Sequence, residues 1–524
     1  MLFNSYEFIF LFFPVVFFGF FWLARFGYSV AALWLSFASL FFYGWWAIEY
    51  VGLLLASVVM NYSMGYLIGH ARRKSIAKFY LIFAVTANLA LLSFYKYANF
   101  IIDTSNWFTG GSVSLVDVIL PLGISFFTFT QIAFLVDVYR GVAREYNFIH
   151  YLLFVTYFPH LIAGPVLHHA QMMPQFAKKK TYRLQLDNVA LGLSIFTIGL
   201  AKKVLLADNF AVYAEPVFAA AGLGIQPDFI EAWTGALAYT LQLYFDFSAY
   251  CDMAIGISLV FGIKLPINFN SPYKSVNIID FWRRWHMTLS QFLRDYLYIP
   301  LGGNRKGPLM RHMNLMITML LGGLWHGASW TFVMWGGLHG LFLVINHAWR
   351  SMVGGLLPTQ GVAAQVYSLA AVMLTFLCVV IAWVFFRAES FSSAILILNG
   401  CFGYGGISLP STLGALAERL GSLAELLPEA ISYGGVFLNI PGFGSLGGIV
   451  PFAKLLLLGL LIVWFAPNSQ QFFNFIEQKD GKVKLFKWDI AWKPRPVVGF
   501  LFGCLFCLAL SKLDKVSTFL YYQF

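Results

Sequence analysis

His326 stands in LLGGLWHGASWTFVMWGGLHG, where nearly every neighbour is apolar. Ionisable side chains are expensive at membrane depth and mark functional sites by default. A neutral imidazole titrates near neutrality and suits general-base work on a hydroxyl. The competing reading is a histidine that hydrogen-bonds between helices and only holds them together; the local residues leave both open. Gly322 and Gly323, just upstream, let a helix or a substrate approach the backbone closely. His339 and His347 share the segment and read as structural.

His286 follows Arg283, Arg284 and Trp285 in a stretch, 264–313, that is polar, aromatic and basic together. It could position a donor or assist proton transfer at the cytoplasmic mouth, but from spacing alone the leading reading is an interfacial side chain that snorkels. Arg283, Arg284, Arg294, Arg305 and Lys306 suit the phosphates of a nucleotide-bearing acyl donor. Lipid head groups are their other natural partner. Asp246 and Asp252 lie six apart, so they share no helical face, but each needs a partner if buried. Other signals are missing. There is no G-x-S-x-G elbow, no Walker A loop and no G-x-G-x-x-G. No histidine has an aspartate five positions later, and no Cys/His spacing suggests zinc, so no metal is expected. Cys504 and Cys507 form a C-x-x-C inside an apolar run and read as small helix- or lipid-facing residues.

The elements that must hold these residues follow from composition. The chain is 60% hydrophobic and 11% charged, where soluble domains carry about 25% charged residues. Lipid is the solvent that accepts such an excess. Apolar stretches long enough to span recur at 8–25, 29–47, 50–69, 79–101, 117–136, 189–207, 230–262, 314–348 (room for two), 366–386, 450–466 and 496–512. The expected fold is therefore an all-α polytopic bundle of roughly 11–12 transmembrane helices. With no long polar linker, residues 1–524 form a single domain. No positive charge precedes 8–21 and the first is Arg25, which argues for a retained span rather than a signal peptide.

The net charge of +11 points to membrane topology rather than nucleic acid. Basic residues gather in short loops at 72–78, 140–144 (Arg140, Arg144), 178–183, 264–311 and 479–495, which should be cytoplasmic. Segments 102–116 and 208–229 carry no Lys or Arg, and 402–448 has only Arg419; these should face outward, with the N-terminus outside. Two segments resist this scheme. The stretch 151–172 separates two basic loops, so it should not cross fully. Pro159, Gly164 and Pro165 break it, and it carries His160, His168 and His169. A re-entrant or interfacial segment that helps wall a cytoplasm-facing cavity is expected. In 280–298, Phe281, Trp285, Leu289, Phe292 and Tyr296 recur at helical spacing, which predicts one amphipathic helix in the membrane plane.

At YFDFSAYCDMAIG, NFNSPYKSVNIIDFWRRWHMTLSQFLRDYLYIPLGGNR and GGLWHGASWTFVMWGGLHG the chain closely resembles the membrane-bound O-acyltransferase family. It looks most like the branch that includes the bacterial alginate O-acetylation membrane subunit. LPLGISFFTFTQIAFLVDVYRG and YFPHLIAGPVL resemble upstream parts of the same pattern, which is strongest from 120 to 350 and runs to FLYYQF. Ala249 and Cys251 stand where relatives have Gly and Ser.

The resemblance implies a many-helix bundle with a constriction reached from both membrane faces. It places the family's invariant histidine at His326 and a second site position at His286. It further implies a bacterial inner-membrane protein whose donor is a cytoplasmic thioester, acetyl-CoA. No cofactor would be bound permanently. The acetyl group would pass to a periplasmic acetyltransferase partner and so, indirectly, to a polysaccharide acceptor. Alginate-like exopolysaccharide is favoured, with cellulose or peptidoglycan as alternatives. Readings from other classes are an acyl or glycan transporter without chemistry and a structural assembly subunit. Membrane lipids are the remaining expected partners.

Overall fold

The computed structural model describes residues 1–143, 147–162, 164–409, 431–433, 446–473, 484–485, 488–489, 492–513 and 520. Arg144, Arg419, Lys479 and the last four residues of the family-like C-terminal stretch lie outside them.

The architecture is an all-α bundle. A π-helical turn, Glu7–Phe12, runs into α1 (Phe13–Leu23). Pro14, which has no N–H to give to the preceding turn, falls where the π-helical turn passes into α1. Next come α2 (Tyr28–Gly44), α3 (Glu49–His70), α4 (Lys74–Leu92), α5 (Ala98–Thr109) and α6 (Ile124–Tyr139). A π-helical turn, Ser93–Tyr97, joins α4 to α5, making a 36-residue helical run from Lys74 to Thr109. Residues 102–109 of segment 102–116 are thus helical, and 110–116 are irregular.

Segment 151–172 is broken as its prolines require. It contributes α7 (Phe148–Thr156), α8 (Phe158–Leu161) and the start of α9 (His169–Phe176). Asn147 caps α7, its Oδ1 accepting from the N–H of Ile149 at 3.0 Å. Nine residues rise only about 13 Å, far short of the ~30 Å hydrocarbon core. Residues 151–162 are all buried, so this irregular backbone is sheltered by protein.

The centre is α10 (Leu186–Ala201), α11 (Asp208–Gly222) and α12 (Phe229–Val260). A π-helical turn at Lys202–Ala207 fuses α10 and α11 into a 37-residue run, so 208–222 is helix too. The Asp228 carboxylate caps α12, accepting from the N–H of Glu231 at 2.8 Å. From Glu231 to Val260 almost every side chain of α12 is buried, as befits a helix apolar all round. Glycines set its approach to α10: a Cβ on Gly199 would come within 2.7 Å of the Ala249 carbonyl oxygen. Lys202 pairs with Asp252 at 2.7 Å, and Lys203 with Asp208 at 2.8 Å and Asp246 at 2.7 Å. Asp246 and Asp252 are thereby neutralised inside the bundle, the usual condition for charge at that depth.

Four further helices complete the site: α13 (Ile278–Trp282), α14 (Met287–Leu293), α15 (Gly307–His326) and α16 (Trp330–Val353). Around them lie α17 (Gly361–Arg387), α18 (Phe391–Cys401), α19 (Leu446–Phe465), α20 (Ser469–Phe472) and α21 (Pro496–Leu510). Two pairs of very short strands occur, Ile407–Leu409 parallel to Ile431–Tyr433 and Lys484–Leu485 antiparallel to Trp488–Asp489. Among the described residues five helical runs are long and apolar enough to cross a membrane, and six shorter apolar helices accompany them.

The single amphipathic helix expected over 280–298 is not formed. The chain makes α13, breaks at Arg283–His286, makes α14, and ends in a π-helical turn, Arg294–Tyr298. The backbone of 284–287 bonds to a distant strip instead: the N–H of Asn270 donates to the Arg284 carbonyl at 2.9 Å, and that of Met287 to the Asn268 carbonyl at 2.9 Å. Phe281, Trp285, Leu289 and Phe292 are buried in the protein rather than laid against lipid.

Candidate active site

His326 is the last residue of α15. The helix stops because Gly327 is extended and the Ser329 hydroxyl caps α16, accepting from the N–H of Thr331 at 3.3 Å. The α15–α16 hairpin is closed by glycine. A Cβ on Gly323 would collide with the Phe332 carbonyl, and one on Gly336 with the Met319 carbonyl. The His326 imidazole is buried among aromatic rings, with centroids at 4.9 Å to Trp325, 5.1 Å to Trp335 and 5.2 Å to Phe386.

A helix end leaves its last carbonyls without partners in the helix. Here the π-helical turn between α4 and α5 supplies them. Tyr97 OH donates to the Leu324 carbonyl at 3.0 Å. Lys96 Nζ donates to the carbonyls of Trp325 at 2.6 Å and His326 at 3.2 Å, and lies 3.3 Å from Ser125 Oγ. A cation at a helix C-terminus also meets the negative end of the macrodipole. These contacts fix the backbone that carries His326.

His286 reaches the same place from another element. Its backbone is left-handed, with φ of 43°, which is strained for a residue with a Cβ. That strain turns the ring inward, where it is fully buried rather than interfacial. Its Nδ1 lies 3.1 Å from Asn268 Oδ1, an acceptor, so Nδ1 carries the proton in the neutral ring and Nε2 is the accepting nitrogen. Asn268 Oδ1 also accepts from Thr288 Oγ1 at 2.9 Å, and Thr288 Oγ1 from the N–H of Val166 at 3.0 Å. The His286 and His326 ring centroids are 6.3 Å apart.

A cavity of about 590 Å³ lies elsewhere in the bundle; one of about 940 Å³ lies between α13, α14, α15 and α16, and neither histidine lines it. Arg283, Arg294 and Arg311 line it, together with Gln291 and Tyr298. Its inner wall includes Met287 and Thr288, which follow His286, and Met319, seven residues before His326. Seven residues are about 10 Å of helix rise. Arg283 and Arg294 thus sit where phosphates entering the cavity would meet them. Arg284 does not line the cavity: its Nε donates to both Asp280 carboxylate oxygens at 3.0 Å. Arg305 and Lys306 are exposed on the loop beyond and do not line it either.

Segment 151–172 braces this cavity rather than lining it. Besides the Val166 contact, His168 Nδ1 lies 3.3 Å from Tyr296 OH, which donates to Asp137 Oδ2 at 2.7 Å. His169 Nδ1 lies 3.2 Å from the same carboxylate oxygen. This cluster holds the π-helical turn that presents Arg294 and Tyr298.

Sequence reasoning passed over Lys96, Tyr97, Asn268, Arg311 and Trp335. Lys96 carried a signal, a lone cation within the apolar run 79–101. Asn268 carried none, since its partners lie about twenty residues on. His339 meets Trp335 edge-on with ring centroids 4.9 Å apart and, among the described residues, neither ring nitrogen has a hydrogen-bond partner.

The family model for membrane-bound O-acyltransferases matches residues 75–388, the portion that contains both histidines and the arginine-lined cavity. A peptidoglycan O-acetyltransferase of Helicobacter pylori is 45% identical over 78% of this chain and 81% of its own length. A probable alginate O-acetylase of Pseudomonas syringae pv. tomato is 43% identical across the whole of both chains. A teichoic acid D-alanyltransferase of Streptococcus thermophilus is 30% identical over 44% of this chain and 57% of its own.

Proposed function

Because this chain belongs to the membrane-bound O-acyltransferase family, and is a multi-pass membrane O-acyltransferase, we propose that it takes acetyl from acetyl-CoA at the cytoplasmic face and delivers it across the bacterial inner membrane. The observation that carries this reading is the pairing of His326 and His286, with ring centroids 6.3 Å apart, next in the chain to an arginine-lined cavity whose wall includes Met287 and Thr288, the residues that follow His286. The cavity mouth belongs to the basic stretch 264–311, the side assigned to the cytoplasm by charge. Arg283, Arg294 and Arg311 hold the donor's phosphates, and the thioester reaches inward past Met287 and Met319.

His326 takes the proton of an acceptor hydroxyl arriving from the outer face. The oxygen attacks the thioester carbonyl, the C–S bond breaks, and the thiolate leaves to be protonated as free CoA. His286, its Nδ1 held by Asn268, orients the reacting carbonyl through Nε2 once that nitrogen is protonated, or relays the proton. The acceptor is a hydroxyl of a periplasmic acetyltransferase partner, which esterifies an extracytoplasmic polysaccharide. The alginate-type relative aligns end to end with this chain and supports an alginate-like exopolysaccharide. The peptidoglycan relative, at 45% identity, supports peptidoglycan as the second reading. Counting O-acetyl groups on each polymer after deletion of the chain separates them.

The direct test is purified protein in proteoliposomes with acetyl-labelled acetyl-CoA. Wild type releases CoA and transfers label to the acceptor. His326→Ala abolishes both while its abundance in the membrane stays normal, and His286→Ala reduces turnover less. Loss of the folded protein in His326→Ala, with activity kept in His326→Gln, would make His326 a structural residue. Label retained on the protein without acceptor would replace direct transfer by an acetyl-histidine relay.

A further inference from the structure

A second cavity, of about 590 Å³, lies away from the histidines, between the π-helical turn Glu7–Phe12, α1, α10, α12 and α21. Its walls are apolar over most of their length, with Phe8, Phe13, Phe196, Val260, Phe502 and Phe506 among them. One end is different. Trp492, Pro494 and Arg495 close it, and Lys493 adjoins them. The Trp492 Nε1 is buried and, among the described residues, has no hydrogen-bond partner.

That end is the cytoplasmic one by the positive-inside bias. There α10 begins after the basic run 178–183, α12 ends shortly before Lys264, and α21 begins after Arg495. Arg495, Gly499, Phe502, Gly503 and Phe506 recur at helical spacing and all line the groove. A Cβ on Gly499 or Gly503 would have nothing within 4 Å, so the floor is open space.

Two glycines four apart usually let a second helix dock. Here the end of the groove is charged: Arg495 stands at it, with Trp492 and Lys493 beside it, which favours an anionic ligand over an apolar helix. From Arg495 to Phe506 is about 16 Å of helix rise, half of a hydrocarbon core of about 30 Å, and so the depth of one leaflet and the reach of an acyl chain.

We propose that this groove is a binding site for one anionic glycerophospholipid of the cytoplasmic leaflet. An acyl chain lies on Gly499 and Gly503, and the phosphate meets Arg495, with the Trp492 indole N–H as a second donor. Lys493 adds the charge that favours an anionic over a zwitterionic head group.

The full-length protein, reconstituted with equal phosphatidylglycerol and phosphatidylethanolamine, extracted in mild detergent and weighed by native mass spectrometry, tests this. Wild type should retain one phospholipid, predominantly phosphatidylglycerol. Gly499→Leu/Gly503→Leu, which fills the floor, should lose that adduct while remaining monodisperse. Arg495→Gln, which leaves the apolar walls intact, should retain lipid but lose the head-group preference at least fivefold. Added phosphatidylglycerol should raise the melting temperature of wild type by several degrees and that of the filled variant by much less. Equal lipid retention in wild type and both variants would overturn the proposal. So would a wild-type dimer that the filled variant converts to monomer, which would make the groove an interface between copies.

Discussion

At the scale of single residues, His326 depends on a side chain more than two hundred positions away. Lys96 gives hydrogen bonds to the carbonyls of Trp325 and His326, and no local feature around His326 announces it. Residue type drew attention to both histidines, because each sits in a setting where histidine is costly or unusual. Their meeting was not legible, since it depends on a left-handed turn at His286 and an asparagine eighteen positions earlier. Lys96 was legible in principle, as a lone lysine in an apolar run, but its partners are backbone carbonyls and leave no mark in sequence. Lys96→Met would strand two buried carbonyls at about 1–3 kcal/mol each and remove a cation from the helix end. Turnover in proteoliposomes is expected to fall at least tenfold. Lys96→Arg should recover part of the loss, because it restores the charge and the donors. Equal activity in Lys96→Met and wild type, at matched membrane abundance, would separate Lys96 from the placement of His326.

At the scale of elements, periodicity misled in 280–298 for a reason visible in the bonds. Apolar side chains at 281, 285, 289 and 292 face the core as a helix would place them, yet the backbone between them is diverted to pair with 268–270. A pattern confined to one stretch does not register such a non-local partner. The break separates the arginines: Arg283 and Arg294 line the cavity, Arg294 with its Nε on Asp295 Oδ1 at 2.8 Å, whereas Arg284 pairs with Asp280 and does not line it. Arg283 and Arg294 are both exposed, so each phosphate contact contributes only about 1 kcal/mol. A single replacement would shift donor affinity about fivefold, and Arg283→Gln/Arg294→Gln together about thirtyfold. The half-saturating acetyl-CoA concentration should therefore rise more than tenfold in the double variant. Turnover at saturation should change much less, because such contacts serve ground and transition states alike. Arg284→Gln is the control and should leave half-saturation near wild type. A double variant with unchanged half-saturation would remove the donor from this cavity.

At the scale of the whole molecule, the distribution of charge and the lengths of the helices must agree on one orientation. The apolar runs located most spans, while the two long helical runs, Lys74–Thr109 and Leu186–Gly222, extend beyond the apolar stretches that marked them. Each passes through a π-helical turn carrying lysines: Lys96 reaches the end of α15, and Lys202 and Lys203 reach the aspartates of α11 and α12. Polar residues paired in this way are invisible to a hydropathy count, so both runs looked shorter in sequence. The orientation itself rests on the basic loops, and segment 151–172 decides whether it is consistent. Loops 140–144 and 178–183 are both basic and share one side only if that segment does not cross. Its longest helix, α7, has nine residues, and nine residues rise about 13 Å against a core of about 30 Å. Reporter fusions at residues 75, 181 and 485 should therefore read cytoplasmic. Fusions at 110, at Gly224 just beyond α11, and at 425, which lies outside the described residues, should read periplasmic. The fusion at 181 carries the decision. A periplasmic signal there would mean that 151–172 crosses fully and places the two basic loops on opposite faces. The 264–311 mouth would then have to be assigned afresh, and with it the side from which acetyl-CoA enters.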